Sequence, residues 1–240
     1  MPYLILSDIH ANLEALKAVL SDARGRYEQI LCLGDLVGYG ADPNAVLEWA
    51  RANVTVAVRG NHDKACLEPE TLEYFRPMAR AAAIWTREVL TPENLRYLET
   101  LPRGPLHYDG FDLVHGSPVD EDEYLFSLSD VAQIRSELQS GLLFFGHTHV
   151  QGGFLVSRNG VKSIEPIREL AIEANYSYLL NPGSVGQPRD GDPRAAYAIY
   201  SPRERVVEYH RVSYSVAQAA AKILTAGLPE SLAARLYEGV

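Results

Sequence analysis

Tyr3-Leu4-Ile5-Leu6-Ser7-Asp8-Ile9-His10 decides how this chain is read: a short apolar run that breaks at once into Asp-x-His. The same grammar recurs downstream. Gln29-Ile30-Leu31-Cys32-Leu33 leads into Gly34-Asp35, Val54 to Val58 into Gly60-Asn61-His62-Asp63, and Leu142 to Phe145 into Gly146-His147-Thr148-His149. Phe111 to Val114 leads into His115-Gly116, so five of the seven histidines stand at the ends of runs that read as strands. Open α/β sheets bind ligands in the crevice beyond the carboxyl ends of their strands. A gathering of imidazole, carboxylate and carboxamide there is the donor set of a two-metal hydrolytic site.

Between these motifs the first 60 residues alternate strand and helix, the βαβαβ pattern of a sheet covered by helices. Leu13, Leu16, Leu20 and Ala23 recur at helical spacing after the strand at 3–7. Asp42-Pro43 reads as an N-cap with proline at the first helical position, followed by a helix through Val46, Leu47 and Ala50 and a strand at 54–58. Residues 64–104 break the rhythm as a helical insertion, with Met78, Ala82, Ala83, Trp85, Val89 and Leu90 at helical periods and a second helix opened by Thr91-Pro92-Glu93. Lying between two chemical motifs, it either covers the site or packs on a sheet edge. Strands return at 105–108, 111–114, 142–145, 153–157, 161–165, 178–181, 195–200 and 205–211, with a helix near 129–138 and two more at 214–225 and 230–237. Asn159-Gly160 marks a hairpin. The expectation is one domain over 1–240, an α/β fold of two packed mixed sheets flanked by helices.

At 240 residues, 47% hydrophobic and 22% charged, the composition is that of a soluble globular chain. A net charge of −9 argues against binding long nucleic acid, which rests on phosphate neutralisation by Lys and Arg. No stretch approaches the roughly 20 apolar residues of a membrane span. The N-terminus turns polar too early for a signal peptide. Cys32 and Cys66 have no metal-type spacing, so neither a disulfide framework nor a structural zinc site is implied, and a reducing, cytoplasmic setting is expected.

Singly, each motif is weak. Together and in this order, Asp8-Ile9-His10, Gly34-Asp35, Gly60-Asn61-His62-Asp63, His115 and Gly146-His147-Thr148-His149 resemble the calcineurin-like metallophosphoesterase superfamily, with Asn181-Pro182-Gly183-Ser184 similar to a further element of its small bacterial members. The resemblance implies a four-layer αββα sandwich and two divalent ions, manganese first, with iron, zinc or nickel as alternatives. It places Asp8, His10 and His149 on one ion and Asn61, His115 and His147 on the other, with Asp35 bridging them. His62 is expected to touch the substrate phosphate and Asp63 to orient His62. With two carboxylates against two divalent ions, the centre stays positive and attracts a phosphoryl group.

The expected reaction is hydrolysis of a small phosphodiester or nucleotide phosphoanhydride by in-line attack of a metal-bridging hydroxide. A phosphomonoesterase or protein phosphatase, or a non-catalytic scaffold of the same fold, is the alternative. Asn12 and Tyr39 are candidates to line the pocket, and Arg189 either reaches a phosphate or is solvated. The Asp120-Glu121-Asp122-Glu123 run reads as a solvated loop, and His107 and His210 as structural or exposed. The residues leave the oligomeric state and the physiological substrate open.

Overall fold

A computed structural model describes all 240 residues. The strands are β1 (Tyr3–Leu6), β2 (Gln29–Cys32), β3 (Val56–Ala57), β4 (Leu106–Tyr108), β5 (Phe111–Leu113), β6 (Leu142–Phe144), β7 (Gly152–Ser157), β8 (Gly160–Ile164), β9 (Glu169–Ala171), β10 (Ser177–Asn181), β11 (Ala195–Ser201) and β12 (Val206–Val212). The helices are α1 (Leu13–Asp22), α2 (Pro43–Asn53), α3 (Asn61–Leu67), α4 (Pro77–Val89), α5 (Pro92–Glu99), α6 (Leu128–Gln133), α7 (Val216–Thr225) and α8 (Glu230–Glu238). Short 3₁₀ turns occupy Pro69–Tyr74 and Arg135–Glu137.

Two mixed six-stranded sheets result, ordered β3-β2-β1-β11-β12-β9 and β4-β5-β6-β10-β7-β8. β1, β2 and β3 run parallel, and β11 returns antiparallel to β1. In the second sheet β5, β6 and β10 are parallel neighbours, with antiparallel strands outside them.

The alternation of side chains along a strand sorts the core into layers. Tyr3 and Ile5 of β1 face the second sheet and pack with Phe111, Phe144 and Tyr178. Leu4 and Leu6 face the other way, onto Leu16 and Val19 of α1 and Val46 and Leu47 of α2. β11 repeats the split, with Ala198 and Tyr200 between the sheets and Tyr197 and Ile199 under the helices. Val131 of α6 packs on the outer face of the second sheet. The layers therefore run helix, sheet, sheet, helix.

Several boundaries differ from the sequence reading. β3 is two residues long because α2 runs on through Asn53 and Val54 donates its N–H to Ala50. β9 was not anticipated: three residues with no apolar alternation carry no strand signal. The helix expected at 129–138 is a single α-turn stretch followed by a 3₁₀ turn. In α4 the buried face is Ala79, Ala82, Ala83 and Thr86, whereas Met78 and Val89 are exposed. Asp42 precedes α2 without a capping hydrogen bond, since its carboxylate accepts from Lys222 Nζ at 2.7 Å.

α4, α7 and α8 meet through Ala79, Ala82, Ala219, Ile223, Leu232 and Leu236, with Tyr39 in the same cluster. The insertion and the C-terminal helices thus share one core beside the first two motifs. No helix is long and apolar enough to cross a membrane.

Candidate metal centre

β1, β2, β5 and β6 all end at the same edge of the sandwich, and each delivers one motif as it ends. Asp8, His10, Asp35 and His149 place one ligand atom each within 4.8 Å of one another. Asp35, His115 and His147 do the same, so Asp35 belongs to both groups. Its Oδ2 lies 3.5 Å from His10 Nε2 and 3.5 Å from His115 Nε2, while its Oδ1 accepts the His62 N–H at 2.8 Å. Asn61 Oδ1 joins the second group at 3.1 Å from His115 Nε2.

The outer atoms of these side chains fix where the inner ones point. His10 Nδ1 lies 2.9 Å from the Val37 carbonyl, His115 Nδ1 2.8 Å from Leu33 and His149 Nδ1 2.6 Å from Gln187. His147 is turned around, with Nε2 3.2 Å from the Asp122 carbonyl and Nδ1 3.1 Å from His115 Nε2. Donating the outer N–H to a carbonyl leaves the inner nitrogen a lone pair, the usual support of a metal-ligating histidine. His10 Nε2 and His149 Nε2 stand 3.1 Å apart. Two lone pairs aimed at each other repel unless a cation lies between them.

The carboxylates complete the test of fit. Asp8 Oδ2 accepts from Ser7 Oγ and from the His147 N–H, whereas Asp8 Oδ1 is buried with no hydrogen-bond partner and lies 3.2 Å from His149 Nε2. An orphaned, fully buried carboxylate oxygen costs free energy unless something positive meets it. Burial pushes His10, His147 and His149 down, to about 3 for His147, which keeps them neutral. Burial also opposes the charge on His115, but the Asp35 and Asp8 carboxylates outweigh it and raise His115 to about 10. The carboxylates thus demand positive charge at this centre, and a pair of divalent ions fits the donors present.

The backbone is bent to make this possible. Asp8, His10, Ala11, Asp35, Tyr39, His147 and His149, in or just beyond the motifs, all have positive φ, and elsewhere only Asp109 and Arg205 do among the non-glycine residues. Strain of this kind persists where the surroundings over-determine it, and it clusters at active sites. The motif glycines answer a different constraint: a Cβ on Gly60 would lie 2.1 Å from Asp35 Oδ1, and one on Gly146 2.0 Å from Ser7 Oγ. Asn181 Nδ2 donates to the Gly146 carbonyl and to Thr148 Oγ1, and Ser184 Oγ donates to the Asp8 carbonyl. The Asn181–Ser184 segment therefore clamps the first and last motifs together.

His62 stands at the first turn of α3, against His10, Tyr39 and Phe75, with ring centroids 4.9, 4.4 and 5.0 Å away. It is buried and Nδ1 has no partner, and burial lowers its pKa to about 4. Asp63 makes no hydrogen bond to His62. Its oxygens accept from the Gly60 and Val37 N–H groups, at 3.0 and 3.2 Å, tying the α3 terminus to the loop after β2. Burial, reinforced by the Asp35 charge, raises Asp63 to about 7.

A cavity of about 730 Å³ opens in front of the histidines, lined by Asn61, His62, His147, Tyr39 and Arg189 among others. Asn12 lies outside it: its Oδ1 caps α1 through the Ala15 N–H, and its Nδ2 donates to the Gly186 carbonyl. Residues the sequence did not single out complete the walls. Phe75, Arg76 and Ala79 come from the insertion, Tyr124 and Phe126 from the loop after β5, and Arg235 from α8. Tyr124 stacks on His147 at 3.7 Å and on Phe126 at 5.2 Å. The acidic run is not simply solvated, since Glu121 is 4% exposed and paired with Arg59 and Lys64. His107 has an exposed ring beside Asp112, and His210 stacks on Tyr197, both away from the centre.

Residues 1–205 match the family model of the calcineurin-like phosphoesterase superfamily domain. The chain belongs to that superfamily. An uncharacterized protein of Methanocaldococcus jannaschii is 39% identical over 243 residues, covering 98% of this chain and 97% of its own. The crystal structure of a metallophosphoesterase from Sphaerobacter thermophilus superimposes with a TM-score of 0.88 at 42% identity, over 100% of this chain and 99% of the other. A hypothetical protein from Pyrococcus horikoshii, 21% identical with a TM-score of 0.81 over 100% and 98% of the two chains, shares the fold. The calcineurin-like family is divalent-metal dependent, and the Asp and His groups above are this chain's candidate ligands.

Proposed function

We propose that the chain is a binuclear-metal phosphoesterase that hydrolyses a small phosphodiester or a nucleotide phosphoanhydride. The single observation that supports this most is Asp35 Oδ2, equidistant at 3.5 Å from an imidazole of each ligand group. Asp8, His10 and His149 would hold one ion, and Asn61, His115 and His147 the other, with Asp35 shared. When bound, two divalent ions lower the pKa of water toward neutrality and withdraw charge from phosphoryl oxygens. Manganese is our first choice of ion, with iron, zinc and nickel compatible with the same donors.

His62 lines the cavity beside these ligands, with its unpaired Nδ1 buried against Gly38. It would contact a phosphoryl oxygen and stabilise charge, or pass a proton to the leaving oxygen, as the P–O bond to that group breaks. Asp63 acts as a positioning residue, holding the α3 terminus and the Val37 loop on either side of His62. Tyr39 supports the His62 ring, and the cavity volume suits a nucleotide-sized ligand. Tyr124 and Phe126 offer a flat apolar wall, which favours a substrate carrying a ring. Two buried free cysteines accord with the reducing interior of the cell.

The test is turnover of the metal-stripped protein, with manganese, nickel, iron or zinc restored in turn, on bis-p-nitrophenyl phosphate, p-nitrophenyl phosphate and diadenosine tetraphosphate. Metal-dependent release on the diester or the dinucleotide supports the reading. Release from the monoester alone transfers it to a phosphomonoesterase, and none with any metal favours the scaffold.

A further inference from the structure

Three guanidinium groups border the cavity without a carboxylate to neutralise them. Arg189, Arg235 and Arg76 line the same cavity as His62, and none forms an ion pair. Arg189 is held by neutral partners: its Nη2 donates to Tyr39 OH at 3.2 Å and to Gln187 Oε1 at 3.0 Å. Arg235 Nη1 reaches the same Gln187 Oε1 at 3.4 Å, so one amide oxygen tethers both guanidiniums side by side. Arg189 Nε and Gln187 Nε2 are buried with no partner at all.

The acidic groups that might neutralise them are engaged elsewhere. Asp122, which also lines the cavity, is paired with Lys64, and Asp190 with Arg211. Burial, together with Arg189 and Arg76 as like-charged neighbours, lowers the pKa of Arg235, the signature of cations crowded in want of an anion. Like charges side by side destabilise the folded chain, so their persistence at a cavity mouth calls for a ligand. Arginine forks suit phosphate oxygens, which accept two parallel N–H bonds.

Tyr39 links this cluster to the metal centre. Arg189 Cζ sits 5.6 Å above its ring, and the same ring packs at 4.6 Å on His10 and at 4.4 Å on His62. The arginines therefore stand beyond the reacting position, on the side where a substrate would extend.

We infer that Arg189, Arg235 and Arg76 form a subsite for a second phosphate of the substrate, which makes the preferred substrate a polyphosphorylated one. The inference rests on the phosphoesterase reading and narrows its substrate class from single phosphodiesters to phosphoanhydrides and bisphosphorylated esters.

The probes are methylenebisphosphonate and methylphosphonate, which present two phosphonate groups or one and are not cleaved. Their affinities are measured by calorimetry on the manganese-loaded, full-length protein. The expected result is an advantage of about tenfold or more for the bisphosphonate, the worth of one or two charge-assisted hydrogen bonds. That advantage falls to near unity in Arg235→Gln and shrinks in Arg76→Gln. Arg76 is exposed, so its variant should fold as the parent does. Arg158→Gln, at the exposed turn between β7 and β8, removes the same charge and leaves the ratio unchanged. Equal affinities in the unaltered protein, no bisphosphonate binding, or an advantage that survives both Arg235→Gln and Arg76→Gln overturns the subsite. The turnover panel decides the phosphoesterase reading separately, because the binding ratio is read whether or not a substrate is cleaved.

Discussion

Asp35 carries the largest consequence of any single side chain, since its two oxygens serve three different neighbours. Oδ2 faces both imidazole groups and Oδ1 fixes the α3 N-terminus through the His62 N–H. Asp35→Asn should lower turnover on the order of 100-fold or more and reduce the content of both ions, whereas His149→Ala should deplete only one. Metal analysis beside the rate measurement distinguishes the two. Asp35→Asn retaining both ions and full turnover contradicts the bridging assignment.

His62 makes the complementary case. A Cβ on Gly38, where φ is +91°, would lie 2.4 Å from His62 Nδ1. Gly38→Ala should therefore push the ring aside and lower turnover about tenfold or more while both ions stay bound. At this scale the sequence was legible wherever chemistry and order coincided, as with Asp8, His10 and His147. The Asp63 carboxylate turns to two backbone N–H groups rather than to the His62 ring, and Asn12 caps a helix while lining a smaller pocket with His10 and Tyr39. An adjacent acid can orient a histidine or cap a helix, and spacing alone does not separate the two.

At the scale of elements, the loop between β5 and α6 is pinned to the site by one ion-pair cluster. Glu121 accepts from Arg59 Nη2 at 2.8 Å and lies 3.3 Å from Lys64, and Asp122 offers its carbonyl to His147. Burial alone would raise the Glu121 pKa, but Arg59 and Lys64 outweigh it and hold it below the ordinary value of 4.5. A depressed carboxylate contributes stability that is fully present above its unfolded value and fades as pH falls through its folded one. Glu121→Gln should cost about 1–2 kcal/mol at pH 7 and flatten the loss of stability below about pH 4. Denaturant unfolding at both pH values checks this. A variant as stable as the parent at pH 7 shows that the cluster does not secure the loop.

The acidic run gave no hint of this from composition, because Arg59 and Lys64, the partners of Glu121 and Asp122, lie about 60 positions earlier. Helices with a clear apolar face, such as α1 and α7, were readable. β9 was not, and in α4 only Ala82 and Ala83 of the buried face were, since the small Ala79 and polar Thr86 add no hydrophobic signal while the exposed Met78 and Val89 do.

The whole molecule brings its motifs together because the strand ends of two sheets meet at one edge, and the insertion and C-terminal helices close over that edge. A buried cluster of carboxylates and imidazoles without counter-ions destabilises such a fold, so ion binding and stability are linked. Bound ions at 100 times their dissociation constant add about 2.7 kcal/mol. Chelation should thus lower the melting temperature by several degrees, and a melting curve with and without chelator checks this. An unchanged curve argues that the centre is stable empty. Two packed sheets flanked by helices were legible from strand rhythm, and the convergence of the motifs from their order, whereas the four-layer order came from the family resemblance. The arginine cluster was not, because Arg76, Arg189 and Arg235 come from three distant segments.

Turnover of bis-p-nitrophenyl phosphate and of diadenosine tetraphosphate by the metal-stripped protein, followed as manganese is added stepwise, tests the binuclear account most directly. The account predicts activity that rises until two ions are bound per chain, in the parent protein and not in Asp35→Asn. Two bound ions with no turnover of either substrate, or full activity with one, would contradict it.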